Sequence, residues 1–290
     1  MYHAILGAGA IGGLVGTVLA SLGEEVTVVV RPETLPDYPR DLTLERPSGR
    51  LSASVRSTAA LTTPFDVLWI ATKTYQLNAA LATVQSTPSM IMPLLNGIDH
   101  VAVLRARFGD QRVAPATIAV EAEKIAPGRF IQRSPVVRLN LAARTEPLLG
   151  AIISQLDTLG FISRFIANEQ TLLWGKLCFL APFALVTSAS SMNVGEVLAD
   201  STWKEKLNCA VAEACAVANA SGAEIDPGRI QEGFDAAPTG MRSSMQKDLV
   251  AGRRLELDAI GGPIVSGGKQ HGIEVSTTTD LMAAIRAKLT

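Results

Sequence analysis

The chain has 290 residues, of which 48% are hydrophobic and 18% are charged, and its formal net charge is −1. This balance excludes intrinsic disorder, which requires few apolar residues and many charges, and the length suits one large domain or two ordinary ones. The near-zero net charge gives no indication of a nucleic-acid partner.

The first half alternates short apolar strands with helical patterns, which is typical of βαβ units. The glycine-rich segment after the first strand reads as a helix that ends near Gly23, and a Pro-Ser-Gly break predicts a hairpin over 42–55. Two stretches, 113–134 and 136–142, read as antiparallel strands. The other predicted strands are 2–6, 25–30, 66–72, 90–96 and 161–166.

After Asn168 the strand patterns give way to helical ones. A helix break is expected at Gly195, within "MNVGEVL". We therefore predict an α/β Rossmann-type domain over 1–167 and an all-helical domain over 168–290, with no glycine-rich linker between them. The predicted helices are 169–191, 203–220, 228–234, 244–251, 258–271 and 277–289.

No targeting, membrane or metal signal is recognised. The N-terminus lacks the basic region of a signal peptide, and the apolar run 172–186 is too short to span a membrane. Cys178, Cys209 and Cys215 lie in apolar helical patterns without CxxC spacing, so we expect reduced core cysteines and no metal site. We expect a cytoplasmic protein without a membrane or nucleic-acid partner.

A dinucleotide-binding motif opens the chain. In "ILGAGAIGG", Gly7, Gly9 and Gly12 form G-x-G-x-x-G directly between a strand and a helix. Such glycines allow the tight turn, the approach of a pyrophosphate and close helix–strand packing, respectively. The free N–H groups of the helix start, at Ala10 and Ile11, would face the phosphates.

Two cations at strand ends favour NADP over NAD. An acid after the second strand would bind the ribose 2′-OH of NAD, whereas a basic residue suits the 2′-phosphate of NADP. Here that strand ends in Arg31, with Glu33 beyond Pro32, and Lys73 follows another strand. Either cation could instead be a solvated surface charge.

Two further residues are candidates for substrate chemistry. Asn96 in "LLNG" ends a strand, where it could bind the nicotinamide ribose or the substrate, or simply form an Asn-Gly turn. Lys176 lies within the apolar run "LLWGKLCFLAPFALV". It could be the acid that protonates a reduced ketone, although such lysines more often extend their amine to solvent.

The combination of motifs resembles the ketopantoate reductase (2-dehydropantoate 2-reductase) family over the whole chain. The resemblance depends on "ILGAGAIGG", Lys73, "LLNG", "WGKL", "SSM" followed by Asp248, and Glu256 before "AIGG". It implies a Rossmann domain joined to a helical domain, often as a homodimer. It also implies NADPH-dependent reduction of a 2-oxo acid in pantothenate biosynthesis.

The resemblance also implies roles for matching positions. Lys176 corresponds to the proton donor, and Glu256 to the acid that helps place the substrate and the lysine. Ser244 corresponds to a substrate-binding serine, and Asn96 to the asparagine between substrate and cofactor. Arg31 and Lys73 correspond to the residues that bind the adenosine phosphate of NADPH.

The chain departs from the family pattern at the expected substrate pocket. Leu180 and Ala184 replace two asparagines, and Leu255 replaces the threonine before the glutamate. The hydroxyls at 188, 190 and 191, or Asn193, could compensate. Three readings therefore stay open: a ketopantoate reductase, a reductase of a more apolar 2-oxo acid, and a non-catalytic NADP-binding protein.

Overall fold

The computed structural model describes residues 1–289, which divide into two units of packed secondary structure. The first unit comprises Met1–Leu95 and His100–Ala167, and the second comprises Asn96–Asp99 and the chain from Asn168 onwards. The segment Asn96–Asp99, which was predicted to lie in the first domain, packs with the helical unit instead. Thr290, the last residue of the expected second domain, lies outside the described residues.

The strands of the first unit form three sheets. Their bounds in chain order are β1 Tyr2–Leu6, β2 Glu25–Val29, β3 Asp41–Arg46, β4 Gly49–Ser54, β5 Arg56–Thr58, β6 Val67–Ile70, β7 Met90–Pro93, β8 Ala116–Ala119, β9 Ala122–Ala126, β10 Arg129–Gln132, β11 Val137–Ala142 and β12 Phe161–Ile166. The helices of this unit are α1 Ala10–Ser21, α2 Leu77–Leu81, α3 His100–Phe108 and α4 Glu146–Thr158.

A five-stranded parallel sheet has the order β5-β2-β1-β6-β7. Its central strands are buried almost throughout, which explains their continuous apolar sequences, because strands covered on both faces cannot alternate with polar residues. Strand β2 pairs with one edge of β1, and the chain later returns to place β6 along the other edge of β1. The carboxyl ends of β1 and β6 therefore flank the topological switch point, where such sheets bind ligands.

The other two sheets revise the predicted strand pairing. The hairpin β3–β4 is confirmed, and β10 joins it in a four-stranded sheet of order β4-β3-β10-β9. The predicted antiparallel strands pair as expected in β9–β10 and β8–β11, but β10 runs parallel to β3 and β11 runs parallel to β12. These parallel pairs join strands that are distant in sequence, and local patterns carry no signal for them.

The second unit is all-helical over the described part of 168–289, as predicted. Its helices are α5 Glu169–Ser190, α6 Val194–Ala199, α7 Ser201–Ala220, α8 Pro227–Asp235, α9 Ser244–Val250, α10 Leu257–His271 and α11 Ser276–Ala287. The expected helix break at Gly195 is wrong, because Gly195 lies inside α6. A Cβ there would lie 2.7 Å from the Thr239 side chain, so the glycine serves a close approach.

Helix α5 forms the centre of the helical core. Its start is capped by Asn168, whose Oδ1 accepts hydrogen bonds from the backbone N–H groups of Gln170 and Thr171 at 2.9 and 3.1 Å. At its end, the Lys288 ammonium donates to the Ser188 and Ala189 carbonyls at 3.1 and 2.6 Å. Side chains of this unit therefore bond backbone N–H groups at the start of α5 and backbone carbonyls at its end.

Helix α5 extends beyond the apolar run 172–186, so the prediction that this segment is too short to span a membrane is wrong. The helix has 22 residues and is long and apolar enough to span a bilayer. However, 78% of its most apolar window is buried inside the protein, as expected of a core helix.

The core position of α5 also explains why Cys178 is buried, together with Cys215 of α7. Cys209 is exposed and is therefore not the core residue that was expected.

Candidate active site

The glycine loop lies between β1 and α1 in the first unit. Gly7 has φ +111°, a conformation that favours glycine, and a Cβ there would lie 2.9 Å from the backbone of Ala71 and Thr72. A Cβ on Gly12 would lie 2.0 Å from the Gly7 carbonyl oxygen. Both glycines are therefore required by backbone approaches, as the motif predicted.

The loop has the features that a dinucleotide phosphate needs. Gly9 precedes α1 with no side-chain cap, and the first turn, which starts with Ala10 and Ile11, carries no acidic residue. A Cβ on Gly9 would meet no atom within 4 Å, so space is open beside the uncapped N–H groups. The helix start can thus bind an anion through its free donors and its positive dipole end.

Thr72 is a candidate residue that sequence reasoning missed. Its Oγ1 is buried and has no hydrogen-bond partner among the described residues. Buried hydroxyls are usually bonded, so such an atom beside the glycine loop suits a polar ligand. Only its position two residues after the end of β6, at the switch point, could have indicated it from sequence.

The cations of the first unit occupy different environments. Arg31 is exposed, and its Nε lies 3.3 Å from a Glu33 carboxylate oxygen. Lys73 is half-buried just after β6, at the start of a short 3₁₀ turn. Lys124 of β9 was not predicted as a candidate. Partial desolvation lowers its pKa below the usual value, and repulsion by the Arg31 charge adds a smaller effect in the same direction. Arg31 and Lys124 therefore lie close enough to interact, and Glu33 offsets part of their positive charge.

A chain of three polar side chains lies in the helical unit. Lys176 of α5 donates from Nζ to Asn96 Oδ1 at 3.0 Å, and Asn96 Nδ2 donates to Glu256 Oε2 at 3.0 Å. An ammonium can only donate and a carboxylate can only accept, so these partners fix the orientation of the Asn96 amide. The amide thus links the lysine and the glutamate, which the sequence had suggested only by resemblance.

The environment adjusts the acidity of Lys176. Burial in the apolar surroundings of α5 lowers its pKa to about 8, while the negative charge of Glu256 acts in the opposite direction. Glu256 is itself buried, at the residue preceding α10. A lysine with this pKa can exchange its proton near neutral pH, as a general acid requires.

The two positions that depart from the family pattern lie on α5. Leu180 is half-buried one helical turn after Lys176, and Ala184 is completely buried in the core. Neither side chain can form a hydrogen bond. That the hydroxyls at 188, 190 and 191, or Asn193, compensate for them stays a prediction.

Three of those polar residues form hydrogen bonds within the helical unit. Asn193 caps α6 by accepting from the Glu196 N–H at 2.9 Å. Ser190 donates to the Val186 carbonyl at 2.8 Å, and Ser191 accepts from Lys288 Nζ at 3.0 Å. Ser188 is fully buried, and its Oγ has no hydrogen-bond partner among the described residues. Ser190, Ser191 and Asn193 therefore have hydrogen-bond partners in the helical unit, whereas the Ser188 hydroxyl has no described partner.

The two serines at the start of α9 differ in burial and contacts. Ser243 is buried, caps α9 through the Gln246 N–H at 3.1 Å, and lies 2.9 Å from Thr187 Oγ1. Ser244 is exposed at the first residue of α9, and no described hydrogen bond joins it to Lys176, Asn96 or Glu256. Asp248 is buried and accepts from Arg253 Nε at 2.7 Å.

The sequence is similar to known proteins over almost its whole length. The family described as "Ketopantoate reductase PanE/ApbA" matches residues 3–144, and "Ketopantoate reductase PanE/ApbA C terminal" matches residues 168–289. A 2-dehydropantoate 2-reductase of Caulobacter vibrioides is 30% identical over 297 residues that cover 98% of each chain.

The fold is also similar to solved structures. A PanE/ApbA family ketopantoate reductase from Ralstonia eutropha JMP134 has a TM-score of 0.85 at 24% identity, over 100% of this chain and 98% of that one. A ternary structure of D-mandelate dehydrogenase with NADH and anilino(oxo)acetate has a TM-score of 0.86 at 22% identity, with the same coverage. At these identities the likeness concerns the fold.

Proposed function

Because the chain belongs to the ketopantoate reductase PanE/ApbA family, we propose that it reduces 2-dehydropantoate (ketopantoate) to pantoate with NADPH, as a step of pantothenate biosynthesis. The observation that carries this proposal is the hydrogen-bonded chain of Lys176, Asn96 and Glu256. This chain contains a titratable amine and the groups that orient it. Reduction of a ketone requires such a positioned proton donor.

The residues of the glycine loop would hold the cofactor. The N–H groups at the start of α1, at Ala10 and Ile11, would bind its pyrophosphate, and Gly9 leaves room for it. A nicotinamide dinucleotide, when bound, supplies the hydride. Thr72 Oγ1, which has no hydrogen-bond partner within residues 1–289, would bond the cofactor at the same strand edge.

Lys176 would supply the proton. As the ketone carbon becomes tetrahedral, its oxygen gains negative charge, and the ammonium would stabilise that oxygen and then transfer a proton to it. Burial favours the neutral amine of Lys176, and the negative charge of Glu256 favours its ammonium form. Asn96 fixes the direction of one N–H bond of that ammonium. Ser244, exposed at the start of α9, would bind the substrate as its family counterpart does.

We expect a preference for NADPH over NADH, because Arg31, Lys73 and Lys124 provide positive charge for a 2′-phosphate. The dissociation constants of both cofactors can be compared by fluorescence titration at fixed ionic strength. Arg31→Ala should weaken NADPH binding and leave NADH binding nearly unchanged. Equal affinity of the native protein for the two cofactors would remove the NADP assignment.

The pH dependence of the reaction should report Lys176. Its pKa is about 8, and only the ammonium form can donate a proton, so kcat/KM for reduction should fall as the pH rises through 8. Well above that pH the loss should approach tenfold per pH unit. Initial rates of NADPH oxidation between pH 6 and 10 test this expectation, which a constant kcat/KM up to pH 10 would contradict.

A second candidate substrate class follows from Leu180 and Ala184. Each replaces a hydrogen-bonding residue, and one missing partner in a buried site costs about 1–3 kcal/mol. A 2-oxo acid with an apolar tail would not incur this cost. The proposed site would then perform the same reduction on a different acid.

Leu180→Asn separates the two substrate classes. If Leu180 contacts the tail, we expect the variant to raise the ratio of kcat/KM for ketopantoate to that for 4-methyl-2-oxopentanoate by ~10-fold, through one restored hydrogen bond. Both acids are assayed on the same preparation, so the ratio corrects for partial unfolding. An unchanged ratio would show that position 180 does not contact the tail.

The third reading, a non-catalytic NADP-binding protein, is tested by the same assay. NADPH oxidation with ketopantoate alone supports the first function, and oxidation with another 2-oxo acid supports the second. Tight NADPH binding without turnover on any acid would favour the third. A cytoplasmic location and a homodimer remain predictions, which fractionation and light scattering can test.

A further inference from the structure

Asn96 reaches its two partners through an unusual backbone segment. It belongs to Asn96–Asp99, the short segment that packs with the helical unit although β7, which precedes it, belongs to the other unit. The next residue, Gly97, has φ +74°, in the left-handed region that favours glycine. The chain therefore turns directly after the residue that links Lys176 and Glu256.

Gly97 also lies against helix α10 with no room for a side chain. A Cβ at this position would be 2.2 Å from the Ala259 carbonyl oxygen and 3.0 Å from the Ala259 carbonyl carbon. These are backbone atoms in the first turn of α10, so no rotation of a side chain can relieve the overlap. The contact thus holds the segment directly beside Glu256, the residue before the helix.

The helix contributes a matching feature of its own. In an α-helix the carbonyl of residue 259 would accept a hydrogen bond from the N–H of residue 263, but residue 263 is proline and has no N–H. The carbonyl that Gly97 approaches is thereby released from its usual helical partner. Gly97 and Pro263 together allow the segment to pack closely on the first turn of α10.

We propose that Gly97 is a positioning residue, whose missing side chain lets the Asn96 carboxamide bond Lys176 and Glu256 at the same time. Its role in catalysis rests on the proposed function of Lys176. Any side chain at 97 would move the segment away from α10 and lengthen the hydrogen bond from Asn96 to Glu256. Lys176 would then lose its oriented acceptor, and with it part of the stabilisation of its charged form.

The test is a double-mutant cycle that reads the titration of Lys176 without relying on turnover. Competitive acetylation by acetic anhydride, followed by mass spectrometry, gives the pH at which the Lys176 amine becomes reactive. Gly97→Ala and Asn96→Ala should each lower that midpoint by about one unit, as expected for loss of a hydrogen bond to a charged group. The double variant should show no further fall.

Gly272→Ala is the matched control. Gly272 ends α10 with φ +66°, and a Cβ there would meet no atom within 4 Å, so this variant carries the conformational strain without the overlap. It should leave the Lys176 midpoint unchanged. In an active protein, Gly97→Ala should also lower kcat ~10-fold or more through misplacement of the donor, with unchanged NADPH affinity.

An unchanged midpoint in folded Gly97→Ala, or additive shifts in the double variant, would overturn the proposal. Absence of turnover on every 2-oxo acid would remove the proposed function but not the labelling result. If Gly97→Ala does not fold, hydrogen exchange of the native protein tests whether the segment Asn96–Asp99 is held to α10. The amides of Asn96–Asp99 should then exchange at the rate of the first turn of α10, and exchange in step with β7 would contradict the proposal.

Discussion

Replacing Lys176 with alanine is expected to lower kcat by at least ~100-fold, the lower range for loss of a general acid. The alkoxide oxygen formed by hydride transfer would lose both its proton source and the nearby positive charge. The substitution also removes the donor to Asn96 Oδ1 and a positive charge near the buried Glu256, so the stability of the variant is measured beside its rate. The measurement is steady-state oxidation of NADPH with saturating 2-oxo acid.

A matched control isolates the position from the loss of a lysine. Lys269 is exposed on α10 of the same unit, and Lys269→Ala should retain the native rate. Thermal unfolding of both variants excludes a folding defect as the cause. A turnover near the native value in Lys176→Ala would eliminate this lysine as the proton donor, and with it the proposed mechanism.

Replacing Gly12 with alanine is expected to weaken NADPH binding by at least ~100-fold, which corresponds to about 2.7 kcal/mol. The added methyl group would lie 2.0 Å from the Gly7 carbonyl oxygen, so the loop and α1 must separate. The N–H groups that would bind the pyrophosphate would then lose their arrangement. Fluorescence titration with NADPH measures the effect directly.

Gly16→Ala serves as the control on the same helix. A Cβ at Gly16 would lie 3.3 Å from a side-chain carbon of Ile5, a contact that can relax by a few tenths of an ångström. This variant should bind NADPH nearly as well as the native protein. Gly12→Ala protein that is folded by circular dichroism yet binds NADPH with native affinity would refute the phosphate-loop assignment.

Much of the fold follows from local patterns in the sequence. The strand β1, the glycine turn and α1 were predicted from apolar runs and from the residues that interrupt them, and most helices of the second unit were predicted within a few residues. Helix α6 was missed because Gly195 suggested a break, whereas tertiary packing against Thr239 favours the glycine there. Intrinsic propensity is a weak guide where packing decides.

The candidate site was predictable only in part. Lys176 could be singled out because a charge within an apolar helix is costly without a purpose. The hydrogen bonds that join it to Asn96 and join Asn96 to Glu256 could not be predicted from the residues, because Lys176 and Asn96 lie 80 positions apart and Asn96 and Glu256 lie 160 apart. Thr72 and Lys124 were missed for the same reason, since their significance depends on neighbours from other strands.

The sequence by itself determined the two-part architecture, the phosphate loop and the unusual lysine, because periodicity, glycine spacing and a charge in an apolar run are local properties. Only the tertiary structure decided that Asn96 packs with the helical unit, that Gly97 contacts α10, and that Asn193 is engaged elsewhere. The physical reason is that a hydrogen bond or a steric contact depends on distance in space, which the order of residues along the chain does not specify.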